Sequence, residues 1–317
     1  MTEEKSPNSL KKGYRPPFPI RIFLDYLIES VKNKNNHGWK ITMVVDNVRF
    51  LFYLLFFWTI IVGLILTTLF VDFDHSEIVM DVFGGPNLCT YVDFPPATYF
   101  TFFFLSFSTI SGMIYSFLSI SRLIIAFNEK KISARAKTLM IWGHVYFMLS
   151  LVVFTDVLAV QPDRAAPVTM RIHTIPYTNL KIALLFLQYY GVWFGTNVAW
   201  NDIKFSSYKR RLFYSLSWLH FYVSVVGTVF GCMITLNGVG DMGPSGLVGN
   251  GLWWHVHDPP RFARMIMVVF GNKSPLGDFV LLLLLPIIQS MIIKNKSFGN
   301  TSKVNTVTFY IYDSIST

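Results

Sequence analysis

The chain has 317 residues, of which 52% are hydrophobic, 17% aromatic and only 14% charged. So few charges cannot clothe a soluble domain of this size, and the apolar residues fall into long runs instead of spreading at helical or strand spacing. The formal net charge of +9 sits mostly in segments flanking those runs, where it marks a membrane surface and gives no support to a nucleic-acid partner.

Residues 1–48 read as a cytoplasmic tail. Within it "PIRIFLDYLIESVKNK" sets Ile20, Phe23, Leu24, Leu27, Ile28 and Val31 at helical spacing, opposite Arg21, Asp25, Glu29 and Lys32. That pattern predicts an amphipathic helix, either lying in the membrane interface or packed beneath a bundle. No cleavable signal peptide is expected, so the first apolar run would act as the signal anchor.

Residues 49–293 then read as six transmembrane helices, because about 20 apolar residues cross the hydrocarbon layer. Their expected bounds are about 50–71, 97–125, 138–160, 177–200, 212–236 and 275–293. The first carries no charge. The second is rich in Phe and in small residues, and Ser106, Ser108, Ser111, Gly112 and Ser116 predict a close helix contact. That contact can lie within one monomer, between two copies, or against another membrane protein. The sixth is short and contains Pro286. Residues 294–317 form a second tail. The expected class is therefore all-α, a polytopic helix bundle.

Loop charge sets the orientation. Nine Lys/Arg precede the first helix through Arg49, five lie in 122–137, four in 201–211, and three in the tail from Lys294. The loop 72–96 has none and carries five acids. Basic loops stay cytoplasmic, which places both termini there and three loops outside or in a lumen.

Several polar residues fall where the pattern asks for hydrocarbon. Asp156 and Lys181 sit at matching depth near the outer ends of helices three and four, and can pair within the membrane. The alternative is that Lys181 snorkels and Asp156 caps the loop. His144 and His220 enter helices three and five from the opposite side at similar depth. Such imidazoles can ligate haem, relay protons or simply hydrogen-bond helix to helix, and the single pair assigns no cofactor. Gln188, with Asn197 and Gln289, extends the intramembrane polarity.

The Gly-rich third outer loop holds Trp253 and Trp254, suited to an interface, followed by His255, His257 and Asp258. These fall short of a four-ligand zinc site, so no metal is assigned. Cys89 and Cys232 share the outer side, where they can form a disulfide or remain two buried thiols. Asn272 opens a sequon that a following proline makes a poor acceptor. No nucleophile with its base, acid–base pair or phosphate-binding loop is present, which argues against an enzyme.

The outline of six helices, with "GGPN" at 84–87 in an acidic first outer loop and "RIHTIPYTNLKIALLFLQYYGVWFG" leading through helix four, is similar to the Frag/DRAM/Sfk-type membrane family. The chain departs from it in a longer third outer loop and in lacking an acidic residue within helix six. The resemblance implies a membrane factor for lipid handling in the endoplasmic reticulum, Golgi or plasma membrane. In the branch that remodels GPI anchors an outer-loop histidine opens helix four, and His173 stands in the comparable place. Together these readings nominate Asp156, His173, Asn179, Lys181, Trp253 and Trp254 as ligand-binding residues, with membrane lipid as the partner. A small transporter or channel through the bundle is the alternative reading, and a membrane receptor the next.

Overall fold

The computed structural model describes residues 28–33, 38–70, 95–155, 167–199, 211–222 and 306–312, with isolated positions at 208, 225, 284 and 286–288. In chain order the elements are β1 (Ile28–Asn33), β2 (Gly38–Val44), α1 (Val45–Phe70), α2 (Ala97–Asn128), α3 (Ala134–Thr155), α4 (Pro167–Phe194) with a π-helical turn at Gly195–Ala199, and β3 (Thr306–Tyr312). Residues 211–222 are also helical. The protein is mostly helical. By length and composition α1, α2 and α3 can each cross a membrane, which marks the chain as membrane-embedded.

The all-α expectation is corrected by a three-stranded sheet of order β1-β2-β3. It belongs to one of two compact units, formed by residues 1–44 and 308–317; the other comprises 45–307. β1 and β2 run antiparallel, with Ile28 opposite Met43 and Asn33 opposite Gly38. The hydroxyls of Thr42 and Thr308 meet at 3.2 Å, across 266 positions of sequence. Ile28 and Val31, assigned above to an amphipathic helix, thus lie in β1 instead. Helical spacing over a short segment gives way to pairing with β2, which is itself held on its other edge by the β-branched strand β3, "TVTFYIY", that local pattern cannot see. Residues 20–27 of that expected helix lie outside the described residues.

In the helical unit, consecutive helices pack antiparallel, because partner numbers rise on one helix as they fall on the next. Between α1 and α2 the pairs are Asp46–Arg122 and Phe52–Ser108. Between α2 and α3 they are Ser116–His144 and Thr109–Thr155. Between α3 and α4, Gly143 faces the Phe186 ring and Tyr146 reaches Asn179. The interior is apolar where these helices cross. Phe52 meets Phe147 edge-on at 5.6 Å, and Leu105, Leu118, Leu151, Leu180 and Leu187 are also buried.

Small residues on α2 permit the close approach. Ser108 Oγ donates to the backbone oxygen of Phe52 at 3.1 Å. At Gly112 a β-carbon would lie 2.6 Å from Leu151 Cδ1 and 3.1 Å from Phe52, so only glycine fits without repacking. The small-residue stripe faces α1 and α3 of the same chain. The opposite face of α2 carries Tyr99, Phe100, Phe103, Phe107, Ile110, Ile114 and Phe117, all exposed, as lipid-facing positions must be.

A five-residue connection turns α2 into α3. Lys130 adopts a left-handed φ of 58°, and the N–H groups of Lys130 and Lys131 donate to the carbonyls of Phe127 and Ala126, both at 2.9 Å. This pattern closes the helix by satisfying its last carbonyls. Ser133 then caps α3, its Oγ accepting from the Ala136 N–H at 3.2 Å. Lys130, Lys131 and Arg135 are exposed here, making this the basic end of the bundle.

Helix bounds move inward and outward from those expected. α1 begins at Val45, not near residue 50, so Asp46 and Arg49 belong to its first turns. α2 runs on to Asn128, which places Arg122 six residues, about 9 Å, inside its end. α4 begins at Pro167 and accommodates Pro176 internally.

Candidate functional site

Those shifted bounds bring a group of polar side chains together inside the basic half of the bundle. Arg122 is 4% exposed. Its Nη1 lies 3.7 Å from the Asp46 carboxylate, its Nη2 donates to the Tyr190 hydroxyl at 3.3 Å, and its guanidinium rests 4.0 Å over the Phe194 ring. Two aromatic rings and one carboxylate thus replace water around a charge that hydrocarbon would not tolerate.

Arg49, one turn along from Asp46, is 3% exposed. Its guanidinium stands 5.8 Å from the Tyr53 ring and is seated against Gly191, where a β-carbon would come within 2.8 Å of Nη1. Glycine at 191 is therefore what makes room for the charge. Tyr53 in turn accepts a hydrogen bond from Gln188 Nε2 at 3.2 Å, tying α1 to α4.

The two histidines have separate surroundings. His144 is fully buried among Tyr190, Phe186 and Tyr115, with centroid separations of 4.3, 5.3 and 6.0 Å, and its Nδ1 lies 3.3 Å from Ser116 Oγ. His220, 0% exposed, lies near enough to Arg49 to feel its charge. Both ring nitrogens of His220, His144 Nε2, Gln188 Oε1 and Arg49 Nε are buried without a hydrogen-bond partner. Unsatisfied buried polar atoms, donors and acceptors alike, are uncommon and expensive, so their concentration here singles out this part of the bundle. Among the described residues no group of three or more His, Cys, Asp or Glu side chains is placed to hold a metal ion.

Farther along α4, Lys181 is buried, and Asn179 is half-buried with its Oδ1 3.4 Å from the Tyr146 hydroxyl. Lys181 lies seven residues, about 10 Å, from Gln188. His173 falls within α4, while its side chain is outside what the structure describes. Asp156, Trp253, Trp254, Cys89 and Cys232 lie outside the described residues. Of the residues nominated from sequence, the structure therefore places His144, His220, Gln188 and Lys181 in the interior.

Asp46, Arg49, Tyr53, Arg122 and Tyr190 were missed. Arg49 and Arg122 were counted as flanking charges because each lies at the end of an apolar run. A signal existed in both cases: "LIIAF" continues apolar beyond Arg122, and Asp46 and Arg49 stand one helical turn apart, directly before the first run.

No protein-family model matches the chain, and neither a curated protein nor a solved structure matches it.

Proposed function

We propose that the chain crosses the membrane six times with both termini cytoplasmic, and that it binds the polar headgroup of a membrane lipid inside its bundle to assist remodelling or trafficking of that lipid. The observation that carries this reading is the set of ionisable and polar side chains buried within the bundle. Arg49, Arg122, Asp46, His144, His220, Gln188 and Lys181 are buried, while large aromatic and aliphatic side chains point outward. Ionisable groups held inside a membrane bundle are costly, and binding sites or pathways are their usual reason. The basic turn at Lys130 and Lys131 supports a cytoplasmic position for that end, since basic loops resist translocation. The likeness to the Frag/DRAM/Sfk-type family supports the lipid class, and within it the GPI-anchor branch, in the endoplasmic reticulum or Golgi.

The test compares two reporters in cells lacking the gene, one GPI-anchored and one held by an ordinary transmembrane helix. Selective loss of the GPI reporter from the surface, restored by the wild type but not by an Arg122→Met variant expressed at equal level, is the expected result. Equal surface levels of both reporters, with cellular lipid composition unchanged, would sink the lipid reading.

Conduction through the bundle is the second reading. It is favoured by the polar residues that continue along α4 from Tyr190 through Gln188 to Lys181, a rise of about 14 Å. Ion or solute flux into liposomes holding the purified chain tests it directly.

A further inference from the structure

We propose that Arg49 and His220 hold one anionic oxygen group of the phosphate class at the basic end of the bundle. Several observations converge. Arg49 is buried, and among the described residues no carboxylate lies within ion-pair distance of it; the nearby Asp46 carboxylate is engaged by Arg122. Its Nε has no hydrogen-bond partner, and neither has either nitrogen of the fully buried His220, on which the Arg49 charge acts. Tyr53 spends its oxygen on Gln188, which leaves its hydroxyl proton to donate. The groups that lack a counterpart are mainly donors, around a cation.

A metal ion is the wrong occupant, because the guanidinium would repel it. Water can satisfy a donor but cannot balance a charge buried in a membrane. A phosphodiester does both. It brings a single negative charge, and its two free oxygens match the fork of a guanidinium. Gly191 adds a steric argument: it has no side chain where Nη1 lies, so the guanidinium sits close against the α4 backbone.

The source of the phosphate rests on the lipid-handling reading, which makes it a headgroup; a free phosphate has the same chemistry. The two are separated with the full-length chain, stripped of lipid in dodecyl maltoside and titrated calorimetrically with dihexanoyl phosphatidylglycerol and, separately, with inorganic phosphate. One equivalent of the lipid is expected to bind. Arg49→Gln should weaken binding about tenfold or more, the scale of a charge-assisted hydrogen bond. Gly191→Ala keeps the charge and displaces only the flexible end of Arg49, so it should fold and still lose affinity several-fold.

Inorganic phosphate binding more tightly than the lipid, with the same loss in both variants, would keep the anion site and remove the headgroup as its occupant. Absence of binding by either probe to the wild type, or affinities unchanged in both variants, overturns the proposal. A reporter defect in cells alongside unchanged affinities would fault this site while leaving the lipid-handling reading standing.

Discussion

The two faces of α2 are built to opposite rules. The inward face sets small and polar residues, Thr101, Ser108, Ser111, Gly112, Ser116, Ser119 and Arg122, beside the equally buried Leu105, Tyr115, Leu118 and Leu123. The outward face is Phe, Tyr and Ile, with Phe103 at 56% exposure. In a soluble helix the large apolar side chains would turn in. Here the surroundings are hydrocarbon, so burying Phe gains little, and affinity between helices comes from close backbone approach and from hydrogen bonds such as that of Ser108 to Phe52. The comparison teaches that the inward face of α2 carries both packing and chemistry, while its outward face needs only to be apolar.

The largest break of that contrast is expected at Arg122. Arg122→Met leaves the Asp46 carboxylate buried and uncompensated, at a cost of about 3–5 kcal/mol, measured by thermal unfolding in micelles. The double variant Asp46→Asn with Arg122→Met should lose less than the two single variants summed, because the charges need each other. Strict additivity would show that the 3.7 Å pair contributes nothing.

Gly112→Ala comes next. Its β-carbon must displace Leu151 and Phe52, which are tightly buried, so about 1–3 kcal/mol of stability should be lost by the same assay. Ser133→Ala, at the turn that sets α3 against α2, should cost about 1 kcal/mol through loss of the helix cap. At the outward end of the scale, Phe103→Leu should change stability by less than about 0.5 kcal/mol in micelles, since one apolar side chain replaces another against detergent. A loss there as large as at Gly112 would mean that this face meets a protein partner and not lipid.

Much of this was readable in advance. Membrane embedding, the helical character of the spans, and the small-residue stripe all follow from local composition, because hydrocarbon imposes its constraint on each segment separately. His144, His220, Gln188 and Lys181 were visible as polar interruptions for the same reason. The centre around Arg49 and Arg122 was not.

A basic residue at the end of an apolar run can reach outward to water or turn inward, and its own sequence reads alike in both cases. What turns Arg122 inward is the carboxylate of Asp46 on α1 and the rings of Tyr190 and Phe194 on α4, residues 76, 68 and 72 positions away in the chain and beyond the reach of any local window. The strands tell the same story, since β2 and β3 pair across the length of the chain and neither predicts its partner. The sequence by itself therefore determined the solvent this protein lives in. The tertiary structure alone decided which of its charges face that solvent and which face one another, because that choice depends on partners brought together only by folding.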